Sequence, residues 1–341
     1  MAEGLYRLGP GSRHMAEPPG SEPQLQDCTW ESDMWRTMLI ALLASAVAIV
    51  APPVPLSAQK GETTSQTKSG RIEIVGVNYY YEVRGEGEPL LLLHGGLGSI
   101  DMFGPILTML SHARQVIAVD LHGHGRTPLG TRSINLIDMG NDMAALLKGL
   151  GYSKVDVLGY SFGGGAGFRL AVQHPEVVRR LVIVSAGYSH DGFFPETRAQ
   201  QVKLGAAMAD LMKDTPMYKS YVAVAPRPED FPKLLEQMGS YMRNPFDWSA
   251  EAATLKMPVM LVFGDSDMYR PEHVVKFYQL LGGGLRDAGW MRESLSQNRL
   301  AIIPNRTHYD IFFAPELVTT VLPFLNGQTQ VNTWAEQVEK R

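Results

Sequence analysis

The feature that most constrains this chain is the segment Val155-Asp156-Val157-Leu158-Gly159-Tyr160-Ser161-Phe162-Gly163-Gly164-Gly165. A β-branched apolar run ends in Gly-x-Ser-x-Gly, and a segment of helical character (168–174) follows at once. A serine on so sharp a strand-to-helix turn must adopt strained backbone angles, which only neighbours without bulk tolerate. Gly159 and Gly163 meet that demand. Such a turn lifts the hydroxyl of Ser161 above a sheet. It also aims the N–H of Phe162, at a helix start, toward any negative charge forming beside that hydroxyl. Alone, the motif also fits a glycine-rich turn that cradles phosphate, so the rest of the chain must decide.

The chain has 341 residues, is 45% hydrophobic and carries a net charge of −4. That is enough for one large domain or two small ones with ample core. The near-neutral balance and the lack of a basic block argue against nucleic acid as a partner. One cysteine, Cys28, excludes a disulfide framework, a cysteine-rich metal site and an iron–sulfur cluster.

The first part is not read as fold. Residues 1–33 are polar and aperiodic, a disordered leader or the product of a misassigned start. Residues 34–58 hold Arg36, an apolar run from Met38 to Val50, three prolines, and small residues up to Ala58. One positive charge, a short apolar core and small residues predict a secretory signal peptide. Its place at a chain's beginning favours translation from Met34 and predicts export, to the periplasm or outside the cell. A membrane is a partner only if this segment stays uncleaved. Residues 59–69 read as a linker.

Folded sequence begins near Gly70. Arg71 to Val75 and Asn78 to Arg84 alternate around Gly76 and predict an antiparallel hairpin. A solid apolar run at Pro89–Leu93 predicts a strand buried on both faces, Val178–Ser185 and Pro258–Phe263 predict further buried strands, and Gln115–Leu121, Lys154–Leu158 and Arg299–Ile303 complete the set of strands. Leu136 to Leu150 has helical spacing. Alternating strands and helices imply an α/β fold, a mostly parallel central sheet with helices on both faces and ligands beyond the strands' carboxyl ends.

A hydroxyl is a poor nucleophile near neutral pH, so Ser161 needs a base, and the base an orienting acid. Of nine histidines, His308 follows the last strand and precedes the last helix. His112, His174, His190 and His273 fall in helical or mobile-looking segments. The acid comes from Gly264-Asp265-Ser266-Asp267: Asp267 is the choice and Asp265 the runner-up, with either free to act only as a helix cap near Pro271. His94, His122 and His124 are spaced like metal ligands, but no carboxylate or cysteine cluster completes a shell. Nothing calls for a metal or cofactor.

Taken together, the chain from about Gly70 to Asn326 resembles the α/β-hydrolase superfamily. The matching pieces are His94-Gly95-Gly96, Asp120-Leu121-His122-Gly123-His124-Gly125-Arg126-Thr127, the Ser161 turn, Gly264-x-x-Asp267, and His308, each after its strand. The resemblance implies about eight strands, a core at 70–186 and 252–326, a helical cap at 187–251, and a polar tail at 327–341. It implies a Ser161–Asp267–His308 triad and an oxyanion hole from the N–H groups of Gly96 and Phe162. His94, Gly95 and Tyr160 are expected beside the substrate, and Asp120 and Arg126 brace the loops. Methionines and aromatics of the cap are expected to pack mostly on one another, with a few left to line an apolar pocket.

Dehalogenase and epoxide hydrolase relatives use an aspartate where Ser161 stands, which disfavours both. The expected reaction is hydrolysis of a small apolar or aromatic carboxylic ester through an acyl-enzyme. A carbon–carbon bond hydrolase, an enol-lactonase and a low-turnover receptor-like binder are the alternatives. The partner is a small-molecule ester or lactone.

Overall fold

The computed structural model describes residues 67–328 together with Trp334 and Val338. The expected leader, the signal segment, most of the linker and most of the tail lie outside the described residues. The hairpin comes first: β1 (Lys68–Ile74) and β2 (Val77–Arg84) pair antiparallel around Val75 and Gly76. Strand pairing therefore starts two residues before Gly70, inside the stretch read as linker.

Next in the chain come β3 (Pro89–Leu93), α1 (Pro105–Ala113), β4 (Gln115–Val119), α2 (Leu136–Gly149), β5 (Val155–Tyr160), α3 (Phe162–Gln173) and β6 (Val178–Val184). A helical insertion follows, with α4 (Pro195–Gln201), α5 (Pro216–Val224), α6 (Phe231–Arg243) and α7 (Ser249–Ala252). The chain then returns through β7 (Val259–Ser266), α8 (Pro271–Leu280), β8 (Arg299–Thr307) and α9 (Pro315–Leu325). The sheet order is β1-β2-β4-β3-β5-β6-β7-β8, antiparallel at β1–β2 and β2–β4 and parallel from there on.

Side chains alternate across a strand, so a strand covered on both faces must be apolar at every position. In β3, Leu90 and Leu92 join the core under α1 and α9, while Leu91 and Leu93 join the core under α2, α3 and α8. Asp156 breaks this rule in β5. It is fully buried, and its carboxylate accepts from Arg114 at 2.7 Å and from Arg179 at 2.9 Å. A buried charge persists only when paired in this way.

β7 and β8 both run past their apolar stretches. After an irregularity between Gly264 and Ser266, Ser266 pairs with Thr307. The first residue past each strand is Asp267 after β7 and His308 after β8, so the pairing itself sets these two side by side. Among the described residues, no helix is long and apolar enough to cross a membrane.

Candidate active site

Ser161 stands between β5 and α3 at φ +52°, ψ −117°, in the left-handed region that L-residues rarely occupy. Its N–H is held by the Val184 carbonyl at 2.8 Å. The sterics read from the glycines are present. A Cβ on Gly159 would lie 2.2 Å from the Gly163 carbonyl oxygen, and one on Gly163 would lie 2.4 Å from the carbonyl oxygens of Leu93 and His94. Phe162 opens α3, so its N–H has no intrahelical acceptor.

The Ser161 Oγ lies 3.1 Å from His308 Nε2, and His308 Nδ1 lies 3.2 Å from Asp267 Oδ1. Oδ1 also accepts the Met268 N–H at 2.8 Å, and Oδ2 accepts from the Ser185 hydroxyl. The Tyr160 hydroxyl donates to the His308 carbonyl at 2.6 Å, which fixes the loop that carries the imidazole. Burial raises the Tyr160 phenol above its ordinary pKa, so it stays a neutral donor. Such a line lets the imidazole take the hydroxyl proton while the carboxylate holds the ring's other N–H. Asp265 lies outside it, exposed, and accepts the Arg306 N–H at 3.3 Å. Neither aspartate caps the helix at Pro271, whose N-cap, Arg270, makes no side-chain capping bond.

Residues 88–216 match a family model described as alpha/beta hydrolase fold. RutD of Azorhizobium caulinodans, which carries a provisional carbamate-hydrolase name, is 30% identical over 61% of this chain and 83% of its own. The chain belongs to the α/β-hydrolase family. Solved structures agree in fold. Carboxylesterase CesB from Bacillus subtilis superposes with a TM-score of 0.57 at 21% identity, over 77% of this chain and 92% of its own. The enol-lactonase of Burkholderia xenovorans gives a TM-score of 0.57 at 19% identity, over 75% of this chain and 100% of its own.

In this α/β-hydrolase a cavity of about 670 Å³ opens above Ser161 and His308, and Gly96, Phe162 and Tyr160 reach it. Gly96 lies against Phe162: a Cβ there would be 3.7 Å from the Phe162 Cβ. His94 and Gly95 do not line the cavity, contrary to expectation. His94 is fully buried; its Nε2 accepts the Leu121 N–H at 2.9 Å, which leaves Nδ1 to donate to the Gly95 carbonyl at 2.7 Å. Burial depresses this imidazole to about 4. Gly95 is buried because the Tyr160 ring occupies the space a side chain would need: a Cβ on Gly95 would lie 2.6 Å from that ring.

His122 and His124 likewise bond backbone carbonyls, those of Leu129 and His122. Asp120 accepts the N–H groups of Ile100 at 2.7 Å and Arg126 at 2.8 Å, tying together the loops after β3 and β4.

The insertion supplies most of the cavity's roof, including Met238, Tyr241, Met242, Phe246 and Trp248. Leu211, in the same insertion, points away from the cavity and is 81% exposed. Two residues that position alone did not single out matter here. Ser185 orients the Asp267 carboxylate, and its one sequence signal was its place at the carboxyl end of β6. His190, set aside above as lying in a mobile-looking segment, lines the cavity.

Proposed function

We propose that this hydrolase cleaves small apolar or aromatic carboxylic esters through an acyl-enzyme on Ser161. The observation that carries this reading is the hydrogen-bonded line from Ser161 through His308 to Asp267. His308 Nε2 takes the Ser161 proton as Oγ attacks the ester carbonyl. The N–H groups of Gly96 and Phe162 stabilise the oxyanion, and the imidazolium returns its proton to the departing alcohol. Water, deprotonated by His308, then attacks the acyl-enzyme and releases the carboxylic acid and free Ser161. The apolar lining favours an apolar acyl or alcohol group over a charged one.

Ser161→Ala should abolish turnover of a nitrophenyl ester, a loss of at least about 10³-fold, with an unchanged circular-dichroism spectrum. Retained turnover would remove Ser161 from the mechanism. Repeated turnover, rather than a single burst of nitrophenol, separates an enzyme from a receptor-like binder. We also propose that the protein is exported, supported by the apolar run from Met38 to Val50 behind Arg36. N-terminal sequencing of the protein recovered from a bacterial periplasm tests this; a chain retained in the cytoplasm refutes it.

A further inference from the structure

Besides His308, the cavity wall holds a second imidazole, one that ester cleavage does not use. His190 opens a 3₁₀ turn (His190–Gly192) in the insertion after β6, is 4% exposed, and lines the cavity. Its main chain is fixed by a hydrogen bond from its N–H to the Phe246 carbonyl at 3.1 Å. Its ring lies 4.3 Å from the Phe246 ring and 6.3 Å from those of Phe193 and Tyr241. Among the described residues, neither Nδ1 nor Nε2 has a hydrogen-bond partner.

A phenylalanine or leucine would fill this aromatic niche without desolvating two ring nitrogens, so packing does not account for the imidazole. Burial and the nearby Arg198 guanidinium depress it to about 4, so near neutral pH it offers one donor and one acceptor. Gln201, at the end of α4, lines the same cavity, and its Oε1 is also without a partner. No Arg, Lys, Asp or Glu among the described residues lines the cavity, so a charged substrate group would enter without a counter-ion.

We propose that His190 is a specificity-determining residue that hydrogen-bonds a neutral hydroxyl on an otherwise apolar substrate, away from the scissile ester. A hydroxyl both donates and accepts, so it satisfies either tautomer of the ring. It can also donate to an acceptor such as Gln201 Oε1, which a carbonyl or ether cannot. This inference deepens the esterase reading and rests on it for the word substrate, but its test does not need turnover.

Two uncleavable ketones, hydroxyphenylbutanone and phenylbutanone, differ only by the hydroxyl. Calorimetry with the full chain should show the hydroxylated ketone binding roughly two- to tenfold tighter, the range expected of one net hydrogen bond. In His190→Phe that ratio should fall to about one, and His190→Gln, which keeps a donor and an acceptor, should restore part of it. A ratio of one in the unaltered protein, an unchanged ratio in His190→Phe, or no binding of either ketone overturns the proposal. Failure of the esterase reading shows separately, as turnover retained in Ser161→Ala.

Discussion

Lowering the pH from 7 to 5 should destabilise this protein through two imidazoles buried in the loops after β3 and β4. His94 and His124 are both fully buried, and burial depresses them from the ordinary 6.5 to about 4 and about 3. The unfolded chain therefore binds protons that the folded chain refuses, and stability falls as pH drops from about 6.5 toward those lower values. Integrated from pH 7 to 5, the loss is about 2 kcal/mol per histidine, or roughly 4 kcal/mol for the pair. That is a large share of the 5–15 kcal/mol typical of a domain. His190 and His273, each depressed to about 4 by burial, act in the same direction.

Most carboxylates remain ionised above pH 5, so the window isolates the imidazoles. Urea unfolding at pH 7, 6 and 5 measures the slope. In His124→Leu, which removes one of the two groups, the pH-dependent loss should shrink by about 2 kcal/mol whatever happens to stability at pH 7. A fall of less than about 1 kcal/mol between pH 7 and 5, or an unchanged slope in the variant, would refute the assignment of these rings as buried neutral groups.

Other perturbations test the site and its scaffold. Ser185→Ala deprives the Asp267 carboxylate of a buried hydrogen bond, and should lower kcat on a nitrophenyl ester by about tenfold with KM little changed. Combined with Asp267→Asn it should add almost nothing, because both act through the same ring nitrogen; full additivity would contradict that coupling. Asp156→Asn leaves the buried Arg114 guanidinium without its 2.7 Å carboxylate, and should cost about 3–5 kcal/mol in urea unfolding, against near-zero for a pair that contributes nothing.

Local physics made much of this molecule legible before folding was considered. The apolar runs of β3, β5 and β6 announce strands covered on both faces, because such strands are apolar at nearly every position, with Asp156 in β5 and the partly exposed Arg179 and Arg180 at the start of β6 as exceptions. Ser161 is legible for a similar reason: only glycines at 159 and 163 allow the turn. His308 and Asp267 were found through topology, since each follows a strand end. What ran further than the apolar pattern was the pairing itself. β7 and β8 continue through polar residues to Ser266 and Thr307, and backbone hydrogen bonds there do not depend on side-chain hydrophobicity.

The sequence by itself determined the covalent order of strand, turn and helix and the chemical identity of hydroxyl, imidazole and carboxylate. Only the tertiary structure decided which way side chains point once loops from distant segments meet. It turned His94 into a backbone brace, though its motif sits beside the site. It brought His190 into the cavity from a 3₁₀ turn of three residues, too short for any periodicity to reveal its inner face. A motif reports on its own few residues, whereas the direction of a side chain is set by whatever packs against it.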